Sequence, residues 1–178
     1  YAPRLIDARL YSQIPDTDLR KAWFNGPEGA EQATDAASLP YASVKFGHVD
    51  DWTDNYMYMR AAEMILIEAE AYAHMGDGIK AAEVLQELMD VRQPDWKKSN
   101  VSVEDIHLQR RIELWGEGFA YYDLKRLNKG TDRSYEGNNH LAGYDIAVPA
   151  RDTRWYYQIP LTEIQENDLI NEEDQNPL

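Results

Sequence analysis

A chain of 178 residues with a net charge of -14 and no cysteine excludes several functions before any motif is read. Without cysteine there are no disulfides, no thiolate catalysis and no cysteine-ligated zinc. The acidity leaves no basic stripe to displace counterions from nucleic acid or to hold anionic lipid, and it suits a neutral ligand better than an anionic one.

No apolar run approaches the ~20 residues needed to cross a bilayer, and no signal peptide opens the chain. The start at Tyr1-Ala2-Pro3-Arg4 reads as a mature fragment or as a piece cut from a longer chain. The length predicts one domain, 1–178, around one ordinary core. Twelve tyrosines and five tryptophans either fill that core or stack on flat ligand faces.

Residues 1–55 are loop-rich, punctuated by Pro3, Pro15, Pro27 and Pro40, with a turn at Asn25-Gly26-Pro27. A short helix is expected over Asp16–Phe24, capped by Asp16 or Thr17, and a strand over Tyr41–Val49. The Asp50–Asn55 run concentrates oxygen ligands and could hold calcium. It lacks the EF-hand glycine and closing glutamate, so a solvated loop with an N-cap is the expectation.

Residues 56–93 read as a helical hairpin. Met59–Met75 is rich in helix formers, and Met59, Ala62, Leu66, Ala69 and Ala73 make a stripe of small and medium side chains suited to close packing. Gly76 stands at the C′ position. A second helix over Ile79–Arg92 turns Ala81, Val84, Leu85, Leu88 and Met89 inward, and Pro94 ends it. The run Ala71-Tyr72, Met75-Gly76-Asp77 and Ala81 resembles a tetratricopeptide unit. One such unit cannot bury its own face, so it expects neighbours, and no second copy follows at a fixed period.

The signature helix at 102–128 starts on a capping box, Ser102 with Asp105. Leu108, Ile112, Trp115, Phe119 and Tyr122 fall on one apolar stripe. Arg110, Arg111, Glu113, Glu117, Asp123 and Arg126 crowd its flanks. Gly116 and Gly118 predict a kink, a break between two helices, or the close approach of another backbone. Residues 131–178 form an irregular tail with a strand over Arg154–Pro160 and one helical turn over Leu161–Asn167. The fold class that follows is mostly α: a helical hairpin plus a long packed helix, with extensive loops and short strands at both ends.

Three landmarks in this order resemble the SusD/RagB family of outer-membrane glycan-binding lipoproteins. They are Arg60-x-x-Glu63 leading to Glu70-Ala71-Tyr72, the run Arg110–Arg126, and Ile159-Pro160-x-x-Glu163-Ile164 with Asn167 and Gln175-Asn176-Pro177. The resemblance covers the chain from about Asp16 onward but only the C-terminal part of the family. Two positions depart from the pattern: glutamate is usual where Gln109 or Arg110 stands, and a basic or aromatic residue where Ala120 stands.

The resemblance implies a protein on the outward face of the outer membrane, attached only through an N-terminal lipid anchor absent from this chain. Its expected partners are an oligosaccharide ligand and a SusC-like TonB-dependent transporter, and it performs no chemistry on the sugar. The alternative is a tetratricopeptide-like protein–protein interaction module without sugar binding. With neighbouring helices missing, self-association or marginal stability is expected.

The residues themselves assemble no catalytic site. Glu113 and Glu117 lie one turn apart and would suit a glycosidase, but arginines stand beside them. Arg60, Glu63, Glu70, Arg111, Glu113, Glu117, Asp123 and Arg126 therefore read as a structural charge network. The four histidines, 48, 74, 107 and 140, show no metal spacing, and no cofactor is expected. A sugar needs an aromatic face rimmed by planar polar groups. Loop aromatics are the candidates: Trp52 first, then Trp23, Tyr41 and Trp96, with Asp51, Asn55, Asn138 or Asn139 at the rim.

Overall fold

A computed structural model describes residues 4–30, 38–46 and 58–177. Helices dominate, and among the described residues the sheet is a single two-stranded pair. None of the described helices is long and apolar enough to cross a membrane. The chain packs as two compact units, Tyr1–Phe119 and Ala120–Leu178.

In the first unit, α1 (Ala8–Ser12) is capped by the Asp7 carboxylate, which accepts from the Leu10 amide at 2.9 Å. The helix expected from Asp16 is instead a 3-10 turn over Leu19–Trp23. Its cap is Asp18, whose side chain takes the Arg20 amide at 2.9 Å and so delays the start. The expected strand over Tyr41–Val49 reduces, where described, to two single-residue bridges, Leu5 with Ala42 and Phe24 with Ser43. Tyr41 has φ 63, which takes it out of extended backbone just where a strand would begin.

Next comes the hairpin, α2 (Ala61–His74) and α3 (Gly78–Arg92). Gly76, at φ 83, turns the chain while the Asp77 amide reaches back to the Tyr72 carbonyl at 3.0 Å. The Asp77 carboxylate then caps α3 by accepting from the Lys80 amide at 2.9 Å. Ala62, Leu66 and Ala69 meet Ala81, Val84, Leu85, Leu88 and Met89 in one buried cluster. Full burial of a side chain such as Leu85 contributes roughly 1.5–3 kcal/mol. Met59, expected at the head of the stripe, precedes the helix and is exposed.

The third layer is α4 (Val103–Glu113), which opens on the predicted capping box. The Ser102 hydroxyl accepts from the Asp105 amide at 3.2 Å, and the Asp105 carboxylate accepts from the Ser102 amide at 2.9 Å. Burial opposes the charge on Asp105, yet hydrogen bonds from Lys98 and Ser102 hold its pKa down at about 2. One face of α4 adds Ile106 to the hairpin cluster, and the other places Ile112 among Ile6, Leu10, Ile14 and Phe24.

Beyond α4 the signature segment breaks. Gly116 and Gly118 have φ 77 and 92, and α5 (Phe119–Arg126) begins afresh. The Phe46 ring occupies the space a side chain at 116 would need, 2.6 Å from an ideal Cβ. Because the break resets the helical phase, Tyr122 leaves the predicted stripe and is 64% exposed.

The second unit holds most of α5. There β1 (Thr131–Asp132) pairs antiparallel with β2 (Ala147–Val148), Thr131 opposite Val148. The strand expected over Arg154–Pro160 is not one. Thr153–Trp155 is a 3-10 turn capped by Asp152, and the extended residues after it bond to tail side chains in place of a neighbouring strand. The Gln175 amide accepts from the Ile159 N–H at 2.8 Å and donates to the Ile159 carbonyl at 3.0 Å. The Asn176 side chain donates to the Tyr157 carbonyl at 2.7 Å. The predicted turn near 161 is α6 (Leu161–Glu166).

Candidate functional site

At the centre of the first unit, the last residue of α4 meets cations from three other segments. Arg92, at the end of α3, donates Nε to Glu113 Oε2 at 3.0 Å and Nη2 to Oε1 at 2.9 Å. Arg60, at the N-cap of α2, donates Nη1 to Oε1 at 2.9 Å and Nη2 to the Glu113 carbonyl at 2.9 Å. Arg20 Nη1 stands 3.6 Å from Oε2. The Glu113 carboxylate is 0% exposed. Burial would raise its pKa, but the hydrogen bonds from Arg92 and Arg60 and the charge of Arg20 hold it below the ordinary value.

Glu117, in the break after α4, completes the cluster. It accepts from Lys45 Nζ at 2.5 Å and from Arg60 Nη2 at 2.7 Å. Lys45 also donates to the carbonyls of Glu113 at 2.7 Å and Trp115 at 3.1 Å. Burial pushes the Lys45 ammonium below its usual pKa, against the pull of Glu117. A second pair joins Glu70 of α2 to Arg110 of α4 at 3.8 Å. Glu113 and Glu117 are thus both engaged by cations, and the Glu113 carboxylate is closed off from solvent.

The other predicted network residues lie elsewhere. Glu63 sits half-buried in the first turn of α2, and Arg111 is exposed on α4 within electrostatic reach of Asp7. Asp123 and Arg126 pair on α5 at 2.8 Å. Sequence reasoning missed Asp18, Arg20, Lys45, Arg92 and Gln109. Arg20 is wholly buried, its Nη2 donating to Asp18 at 2.6 Å and to Gln109 at 2.5 Å. No periodicity marks such an arginine; the one hint was Arg92, a cation closing a helix opposite an acid-bearing one.

Of the predicted sugar-stacking residues, Trp52 and Asn55 lie outside the described residues, as do Asp51 and His48. Trp23 is half-buried, with Lys45 Nζ 4.8 Å and the Arg92 guanidinium 5.4 Å from its ring centroid. Tyr41 meets Tyr11 edge to face at 5.5 Å. Trp96 is 7% exposed inside the hairpin core, because the turn after α3 folds it back; that leaves its indole no open face. Asn138 is occupied within its own turn, donating to the Tyr135 carbonyl and accepting from the His140 amide. No cluster of metal-ligating side chains forms among the described residues.

Open aromatic surface gathers instead in the second unit. Tyr121 lies 5.7 Å from Trp155 and 5.4 Å from Tyr157, its hydroxyl donating to the Trp155 carbonyl. Tyr156 and Tyr157 expose 44% and 71% of their surface. Beside them is a cleft of about 450 Å³ lined by Leu124, Lys125, Arg126, Asn128, Lys129, Arg151, Trp155 and Tyr156. The sequence hid this site, since 125–129 read as a helix end and 154–160 as a strand.

Residues 43–178 match the model of the SusD family. The chain is 32% identical over 96 residues to SusD-like protein P38 of Formosa agariphila, an alignment covering 47% of this chain and 19% of that protein. Its fold resembles a SusD-like carbohydrate-binding protein of Bacteroides vulgatus, with a TM-score of 0.73 at 24% identity, over 98% of this chain and 42% of that one. A SusD superfamily protein of the same organism matches with a TM-score of 0.68 at 23% identity, over 94% and 37%. The chain thus spans less than half the length of the proteins it resembles.

Proposed function

The chain belongs to the SusD family, and from that premise we propose that it serves glycan uptake by binding oligosaccharide without altering it. The bound sugar passes to a SusC-like TonB-dependent transporter at the outward face of the outer membrane. Attachment through a lipid anchor upstream of these residues, as the family resemblance implies, belongs to the same proposal.

The observation that carries the non-catalytic reading is the closure of the Glu113 cluster. The carboxylate pair most open to a glycosidase interpretation is consumed in pinning segments together. Binding then falls to aromatic rings, because an aromatic face covers the apolar face of a pyranose while nearby amides and cations take its hydroxyls. Trp52, Trp23, Tyr41 and Asn55 remain the proposed contacts in the first unit, and the Tyr156–Tyr157 surface adds a platform in the second.

Affinity electrophoresis of the full-length protein through gels containing different polysaccharides tests this. Retarded migration in at least one neutral or acidic glycan, with no released sugar, is the expected result. Unretarded migration in all of them overturns it, and Trp52→Ala with undiminished retardation removes Trp52 from the site.

A further inference from the structure

We propose that Gln175 and Asn176, close to the C-terminus, are positioning residues for a glycan that stacks on Tyr157. They hold the backbone beneath that ring and touch no ligand themselves. This rests on the glycan-binding reading above and names what sets the affinity of its second-unit platform. Tyr157 is 71% exposed. Its ring meets Tyr121 at 5.4 Å and an interplanar angle of 44°, a contact that leaves most of its surface open.

Packing does not fix that ring. Among the described residues of the second unit, only Asp123 and Trp155 are buried. So small a core cannot lock a side chain into one rotamer from behind, as dense interiors do. Nor does a sheet hold the segment, since 156–160 belong to no strand. Order at Tyr157 has to come from hydrogen bonds to its own stretch of backbone.

Side chains supply those bonds on both flanks. Before Tyr157, the Trp155 carbonyl accepts from the Tyr121 hydroxyl and from Lys125 Nζ at 3.0 Å, and the Trp155 indole donates to the Pro149 carbonyl at 2.6 Å. At Tyr157 itself, Asn176 Nδ2 donates to the carbonyl at 2.7 Å. Beyond it, Gln175 Oε1 accepts from the Ile159 N–H at 2.8 Å and the Asn176 N–H at 2.9 Å, and Nε2 donates to the Ile159 carbonyl at 3.0 Å. Gln158 Nε2 returns the grip by donating to the Asn176 carbonyl at 2.9 Å. A tyrosine held this way loses little freedom when a pyranose lies on it, because the backbone is already set and few side-chain torsions remain. Without the tail, the same stacking must first order the segment, and that cost shows as weaker binding.

Calorimetric titration of the full-length protein with maltohexaose, xylohexaose, laminarihexaose and oligogalacturonate tests this. For a sugar that binds, Tyr157→Ala should weaken affinity about tenfold. Asn176→Ala and Gln175→Ala should each weaken it about fivefold, chiefly through a less favourable entropy. Asn176→Asp keeps the shape but removes the donor, and should lose as much as the alanine variant. A merely structural role is separated by a double-mutant cycle: in the Tyr157→Ala background, Asn176→Ala should change affinity by less than about twofold. Should either alanine variant fail to fold, Asn176→Asp carries the same cycle. The full loss repeated in the Tyr157→Ala background overturns the positioning role. Unaltered affinity in all three tail variants overturns it too, and leaves glycan binding standing. No effect of Tyr157→Ala overturns it together with the second-unit platform. Failure of every sugar to bind overturns the glycan-binding reading as well.

Discussion

Arg92 meets Glu113 side on, two parallel hydrogen bonds joining the end of α3 to the end of α4. The same carboxylate takes Arg60 from the start of α2 and faces Arg20 from the N-terminal segment. One acid therefore ties four stretches of chain together, and removing it strands several cations in a buried place. Glu113→Ala should cost roughly 3–5 kcal/mol, read as a lower urea midpoint at unchanged slope. An unaltered midpoint would show that the cluster holds nothing together.

Glu113 also sets an acid limit. Its pKa in the folded chain lies below the ordinary 4.5, so its stabilisation is complete above that value and is lost as pH falls through the lower folded value. Asp105, at about 2, contributes a second loss further into acid. The urea midpoint should stay level from neutral pH down to about 4.5 and fall below it. In Glu113→Gln the first part of that fall should disappear.

Two neighbouring glycines should respond differently to alanine. Gly118→Ala meets nothing within 4 Å and suffers only the left-handed strain, about 1–2 kcal/mol. Gly116→Ala suffers that strain and also drives its methyl group into the Phe46 ring. The melting temperature should therefore drop further for Gly116→Ala, and pairing it with Phe46→Ala should recover only the steric part. Equal drops would mean that Phe46 moves aside freely.

Gln175 closes the second unit by bonding both backbone groups of Ile159. Gln175→Ala should lose about 1–2 kcal/mol locally. Hydrogen exchange at Ile159 should speed up while that of α2 and α3 stays as it was. Unchanged exchange at Ile159 would mean that solvent replaces the amide at no cost.

The helical hairpin and the capping box were legible because each is a local pattern. Period, glycine punctuation and cap residues act within a few positions of one another. The α4–α5 break was legible as one of three outcomes. Arg20 was not, because its burial comes from Met89, Gln109 and Glu113 meeting it from far along the chain. Residues 154–160 misled for a related reason: their composition is that of a strand, but the partner is a row of side-chain amides near the C-terminus. The cleft beside Tyr156 was hidden because its lining joins the end of one helix to residues 151–156, far along the chain.

Met64, Ile67 and Met75 are exposed and recur at helical spacing on or just past α2, on the side away from the buried cluster. The chain should self-associate through this stripe, and sedimentation should show mass rising with concentration. Met64→Lys with Ile67→Lys should reduce that rise without lowering helicity. A single monomer at all concentrations would contradict it.

The Glu113 cluster also decides where the chain can be cut short. Arg20, Arg60 and Arg92 converge on the Glu113 carboxylate, while Lys45 reaches the Glu113 carbonyl and the Glu117 carboxylate. Truncated chains that end before Glu113 should stay open to protease in the N-terminal segment, and those that run through Phe119 should become resistant in one step.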